Sequence, residues 1–222
     1  MKKLLAILLT IILAYSGWQV WKIAGDYRAE AEMHSAVMEF KPEPEQIVNQ
    51  SVIDLQAKYP DVAGWITVPG TNIDYPFVWH EDINYYLRRD LNGNHAQAGT
   101  LFMDCRNEPD FSSRNTIIYG HNMRHGSMFG TLKAFADTEF FEANRHGTIF
   151  LPHETLALEF FAYMVIRSTD QQIYGELDLD YVEQNARQYR DIGLTGEDRI
   201  VTLSTCSYEF NDARIILLAR AK

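Results

Sequence analysis

Apolar and polar positions divide the chain into three textures. The first is a run with no formal charge, "LLAILLTIILAYSGWQVW", preceded by Met1, Lys2 and Lys3. About eighteen such residues suffice to span a bilayer as a helix. Lys2 and Lys3 on the leading side predict a cytoplasmic N-terminus, and Trp18 and Trp21 are placed as interfacial anchors at the far end. Everything beyond then lies outside the cell. A cleaved signal peptide is the competing reading, since the most apolar part ends near Ala14 and "AYSG" offers small residues to a peptidase. Trp18, Val20 and Trp21 prolong the stretch beyond a usual signal core of about 7 to 15 residues and favour the uncleaved anchor.

The second texture is helical. "DYRAEAEMHSAVMEF" is compatible with a helix, the prolines of "KPEPEQ" interrupt it, and "QIVNQSVIDLQAKY" resumes apolar positions at helical spacing. From Val62 the third begins: short apolar runs, "GWITV", "YPFVW", "GTLFMD", "NTIIYG", "GTIFL", "LALEFFAYMVI", "RIVTLS" and "RIILLAR", separated by Gly, Pro and Asn. That punctuation predicts strands of a closed or nearly closed β structure. The exception is "LDLDYVEQNARQYRDIG", where Leu179, Val182, Ala186 and Tyr189 recur at three- and four-residue steps and predict one helix inserted between the last strands. The expected organisation is residues 1–3 in the cytoplasm, 4–21 as anchor, 22–60 as an N-terminal helical segment and 61–222 as the β domain.

The formal net charge of -10 argues against nucleic acid or an anionic surface as the main partner. Two cysteines in an exported protein raise the question of a Cys105–Cys206 disulfide, which would suit a tethered, non-catalytic binding module. A domain of this length buries an ample core without such a staple.

Cys206 has a more specific reading. A cysteine is a nucleophile as its thiolate and needs a nearby base or cation. His121 follows the β-like "NTIIY" and Gly120, a residue read as permitting a tight turn, so its ring projects from a strand end. In "HNMRH" His121 and His125 stand four apart, which leaves a zinc site with Cys206, and a metallohydrolase, as another reading. Arg214 opens a run that reads as a buried strand; its alternatives are a rim ion pair and a functional role. If "VTLSTC" and "RIILLA" form a hairpin across "SYEFNDA", Cys206 and Arg214 lie at the same end of it. A guanidinium is a fixed fork of donors suited to a developing oxyanion. Nucleophile, acid/base and oxyanion partner together describe acyl transfer.

These residues resemble a known family. "TLSTC" followed eight residues on by Arg214, with "IIYGHN" upstream, resembles the sortase signature. "PDVAGWITVPGTNIDYPFV", "AGTLFMDCRNE", "GHNMRHGSMFGTLKAF" and the inserted helix are similar to class B sortases, the likeness running from about Ile47 to Ala219. The order of His before Cys separates the chain from papain-like enzymes.

The resemblance implies a mainly β fold with helices: a closed barrel of about eight strands, N-terminal helices and a long helix before the penultimate strand. It implies a membrane-anchored cysteine transpeptidase and endopeptidase of Gram-positive bacteria with no cofactor and no metal. Such an enzyme cuts the C-terminal sorting signal of surface proteins between Thr and Gly and passes the acyl group, through a cysteine thioester, to a peptidoglycan amine. A pilin-polymerising enzyme using a lysine amine is the alternative. His121, Cys206 and Arg214 fall on the family's catalytic positions, and Ser204, Tyr119, Leu87 and Tyr174 where class B enzymes line the substrate groove. Two departures stand out: Ile83 where some relatives carry a polar residue that touches substrate, and Cys105 in place of a frequent aromatic.

Overall fold

The computed structural model describes residues 2–43 and 48–222. Met1 and residues 44–47 lie outside the description, among them Pro44 and the first two residues, Gln46 and Ile47, of the second helical stretch. The chain forms two compact units, Met1–Glu39 and Phe40–Lys222. The first holds one helix, α1 (Lys2–Met38), into which the apolar run and "DYRAEAEMHSAVM" merge without a break. Its 37 residues extend about 55 Å at the helical rise of about 1.5 Å per residue. Its N-terminal part is long and apolar enough to cross a membrane. Leu8, Ile11, Leu13, Trp18 and Trp21 are all exposed there.

Among its described residues the second unit has α2 (Gln50–Lys58), which buries Val52 and Leu55, followed by nine strands. These are β1 (Val62–Val68), β2 (Ile73–Val78), β3 (Leu101–Met103), β4 (Asn115–Tyr119), β5 (His146–Phe150), β6 (Thr155–Arg167), β7 (Gln188–Tyr189), β8 (Arg199–Cys206) and β9 (Ala213–Ala221). Between them lie α3 (Thr138–Ala143), α4 (Gln171–Tyr174) and α5 (Leu179–Asn185). The order β5-β1-β2-β3-β4-β8-β9-β6 is closed by pairing of β5 with β6, so eight strands make a barrel, with β7 added to the outside edge of β6. Each of the eight apolar runs of the sequence is one strand of that ring. The pairs β2–β3 and β4–β8 are parallel; the other pairs are antiparallel.

Alternation of side chains along a strand gives the barrel two buried faces on one side. Val201 and Leu203 of β8 and Ile215, Leu217 and Ala219 of β9 enter the barrel interior with Ile66, Phe77, Leu101 and Phe129. The residues between them, Ile200, Ile216 and Leu218, join Ile117, Met164, Ile173 and Val182 in a second cluster outside the barrel, beneath α4 and α5. This explains why β8 and β9 read as continuous apolar runs.

The inserted helix is shorter than its spacing predicts. Asp178 caps α5 by accepting from the Tyr181 amide, and the helix ends at Asn185. Beyond it, the open edge of β6 offers partners that a helix cannot use. Arg187 and Arg190 donate their amides to the carbonyls of Tyr163 and Phe161, and Gln188 and Tyr189 pair with Tyr163 and Ala162. The long helix implied before the penultimate strand is therefore α4, α5 and a two-residue strand, because edge pairing outweighs local helical preference.

Candidate active site

The end of β4 and the end of β8 run side by side in parallel, with Tyr119 opposite Ser204. Three hydrogen bonds continue the seam past the last paired residues. The Gly120 amide donates to the Ser204 carbonyl (3.1 Å), Thr205 Oγ1 donates to the Gly120 carbonyl (2.6 Å), and Asn122 Nδ2 donates to the Cys206 carbonyl (2.8 Å). His121, two residues beyond Tyr119, is thereby carried to the level of Cys206, two residues beyond Ser204. On the other side of β8, Cys206 sits directly opposite Arg214 in the antiparallel ladder with β9. The predicted hairpin thus forms with the two residues as cross-strand neighbours.

The face is set by alternation. Ile117 lies outside the barrel under α4 and α5, so Tyr119 and His121 continue that face. Ile200 places Thr202, Ser204 and Cys206 outside, and Ile216 and Leu218 place Arg214 there too. Six of the seven candidate site residues therefore belong to one region; Leu87 arrives from the short 3-10 helix Tyr85–Arg88 before β3. It does so through its backbone: His121 Nε2 lies 2.7 Å from the Leu87 carbonyl. A carbonyl only accepts, so Nε2 carries the proton and Nδ1 is the nitrogen left for proton exchange. The Leu87 side chain is exposed, whereas Ser204 is buried and bonded at 2.8 Å to the hydroxyl of Tyr174, itself buried.

Cys206 is a half-buried free thiol, as is Cys105, so no disulfide joins them. Arg214 donates to the carbonyl of its neighbour Ala213 (3.0 Å), and among the described residues no carboxylate pairs with it. The rim ion pair is absent, and donors of the guanidinium remain for a ligand. The charges of both residues reach the Tyr174 phenol, whose pKa is pushed up to about 12. Burial is the main cause; the Ser204 bond and Arg214 oppose it and Cys206 adds to it. His125 Nε2 lies 2.8 Å from Ser127 Oγ. Among the described residues no three His, Cys, Asp or Glu side chains converge as a metal site.

Gly120 does its work by size. Its φ is not positive, and a Cβ there would run into the side chains of Leu101 and Phe129. The turn-permitting role expected from the sequence gives way to close packing. Gly120→Ala is expected to destabilise the fold by about 1–3 kcal/mol, the usual cost of overpacking, and to lower turnover by displacing His121. Thermal unfolding alongside peptide kinetics checks both.

A buried acid beside the site has no signature among the residues read above. Asp104, 1% exposed, accepts from the Arg106 amide (3.0 Å) and Nε (2.8 Å) at Oδ1, and from the Arg106 terminal nitrogen (2.7 Å) and the Tyr119 hydroxyl (2.8 Å) at Oδ2. Burial works to raise its pKa, but the bonds from Arg106 and Tyr119 outweigh it and hold the carboxyl below its ordinary range. A lowered folded value means stabilisation that is complete above the unfolded value of about 3.9 and lost as pH falls through the folded one. The melting temperature should therefore fall on acidification below about pH 4, less steeply in Asp104→Asn.

Comparison with known proteins places this geometry. Residues 66–222, well over half the chain, match the family model described as a Sortase domain. The chain belongs to the sortase family. Its relatives are of class B. Sortase B of Listeria monocytogenes is 37% identical over 172 residues, which cover 73% of this sortase and 69% of that one. Sortase B of Staphylococcus aureus is 30% identical over 172 residues, covering 72% and 70%. The crystal structure of sortase B from B. anthracis in complex with AAEK1 superposes with a TM-score of 0.76 at 32% identity, covering 88% of this chain and 97% of that one. The eight-stranded barrel is the class B sortase fold, and the sortase is accordingly a transpeptidase of the cysteine type.

Proposed function

We propose that this sortase cleaves the C-terminal sorting signal of surface proteins between Thr and Gly and transfers the acyl group to an amine of cell-wall peptidoglycan, with Cys206, His121 and Arg214 as its catalytic residues. The observation that supports this most directly is the pairing of Cys206 with an arginine that has no carboxylate partner among the described residues, at the strand end to which His121 is stitched. The Cys206 thiolate attacks the Thr carbonyl carbon and Arg214 binds the oxyanion that forms. As the tetrahedral adduct collapses, His121 as imidazolium gives the Nδ1 proton to the leaving Gly amine, and a thioester remains. An incoming amine then attacks the thioester, neutral His121 takes its proton, and Cys206 leaves as thiolate. In this reading the Leu87 side chain and the ring of Tyr119 line the groove, and Tyr174 and Ser204 form the floor beneath them.

Incubation of the full-length chain in detergent with a library of sorting pentapeptides and an amine acceptor tests the reaction. Mass spectrometry should find products cut after Thr and joined to the amine. Hydrolysis without exchange at any acceptor, whether a wall-peptide amine or a pilin lysine, would speak against transfer.

Residues 4–21 serve as the anchor in this reading, with residues 1–3 in the cytoplasm and the barrel outside. The protein should pellet with membranes and resist salt extraction. A mature N-terminus after Ser16 would instead identify a cleaved signal.

A further inference from the structure

The strongest observation outside the catalytic trio is that a fully buried carboxylate lies behind the groove with every lone pair directed to a purpose. The turn after β3 needs only one of its oxygens, since Oδ1 takes the Arg106 amide two residues on. Oδ2 is free of that task and accepts the Tyr119 hydroxyl. Burying a carboxylate for a turn alone is costly, because the charge must be compensated once it leaves water. Here Arg106 supplies the compensation from a surface position, its side chain 59% exposed, through two further bonds.

What the carboxylate secures is the tilt of one ring. With its hydroxyl fixed at Asp104, Tyr119 is flanked by Phe102 at 5.4 Å between centroids and by Tyr174, nearly parallel, at 6.2 Å. Tyr174 is fixed in turn by Ser204, two residues before Cys206. Arg106, Asp104, Tyr119, Tyr174 and Ser204 therefore form a continuous line from the surface to the strand that carries the thiol. The Tyr119 hydroxyl is taken by Asp104, so the half-buried ring is what it can offer a ligand. Ring faces take part in binding through area and stacking, which depend on orientation.

We infer that Asp104 is a positioning residue for substrate recognition: with Arg106 it holds the Tyr119 ring as a preset platform on which the sorting peptide packs. The inference rests on the reading of Tyr119 as part of the groove. It assigns Asp104 a task in peptide binding, distinct from the chemistry at Cys206.

The test uses the full-length chain in detergent and the peptide that it cleaves fastest from an internally quenched pentapeptide library. Asp104→Asn, Tyr119→Phe and the double variant are compared by KM, kcat and melting temperature. Asp104→Asn keeps the shape and removes the charge; Tyr119→Phe keeps the ring and removes the tether. Each should raise KM about tenfold, the factor corresponding to one charge-assisted hydrogen bond, with kcat changed less than threefold. The double variant should resemble Tyr119→Phe alone, because the acid acts through that hydroxyl. Multiplying KM effects, or a lower melting temperature with KM unchanged, would overturn the inference. If Asp104→Asn does not fold, Tyr119→Phe still decides, since an unchanged KM refutes the tether. Tyr119→Ala separates the two levels: an unchanged KM there removes Tyr119 from the groove altogether, whereas a raised KM with silent Asp104→Asn and Tyr119→Phe leaves the groove intact and removes only the role of Asp104.

Discussion

Cys206→Ala is expected to abolish peptide cleavage and amine exchange together, to below roughly a thousandth of wild type, as for removal of the nucleophile in other acyl-transfer enzymes. In the proposed mechanism the two activities fall together because both pass through the same thioester. The fold should survive, since the lost atom is one half-buried sulfur at a strand end whose backbone carbonyl is held independently by Asn122. Cys105→Ala provides the control. Cys105 is also a half-buried free thiol, but it lies in the turn between Asp104 and Arg106, and its removal should leave both activities in place. Mass spectrometry of products and thermal unfolding of both variants give the readout. Equal losses with both folds preserved would assign Cys105 a part in the reaction.

Arg214→Lys is expected to lose at least about tenfold in turnover, and Arg214→Ala more, since one oxyanion donor is worth on the order of a hundredfold to a thousandfold. Were Arg214 present to balance charge, lysine would replace it almost silently. The structure removes the simplest form of that explanation, because no carboxylate among the described residues pairs with the guanidinium. A lysine ammonium is compact, strongly hydrated and carried on a flexible stem, so it must be desolvated and aimed where the guanidinium is already fixed. The loss should appear in kcat more than in KM if the contact strengthens as charge develops. Full activity in Arg214→Lys would refute the oxyanion role.

Much of this architecture is legible in the residues because barrel strands are short and end abruptly. Eight apolar runs bounded by Gly, Pro and Asn became the eight strands of the ring, and the eight-residue step from Cys206 to Arg214 became a cross-strand pair. β7 escaped notice because Tyr189 falls on the helical spacing of Leu179, Val182 and Ala186, and only the free edge of β6, distant in sequence, makes a strand of Gln188 and Tyr189. Gly120 was readable as special but for the wrong reason, since Leu101 and Phe129 approach it only after folding. Asp104 gave no signal at all. Its surroundings, "LFMDCRNE", show one acid beside one base, and the tyrosine that gives the pair a task stands fifteen residues away.

The seam between β4 and β8 also fixes when the enzyme becomes reactive. Its closing bonds join Gly120 to Thr205 and Asn122 to Cys206, residues 85 and 84 positions apart. Between them the chain must complete β5, β6 and the α4–α5 insertion, and β9 must still enter between β8 and β6 before Arg214 faces the thiol. Contacts of such long separation form late, after the entropy of the intervening loops has been overcome. In a nascent or partly folded chain Cys206, His121 and Arg214 stand apart, so the arrangement proposed to capture an acyl group has not yet been assembled. On the proposed mechanism, closure of the barrel is thus the condition for reaction, and the topology itself serves as the safeguard against a premature one.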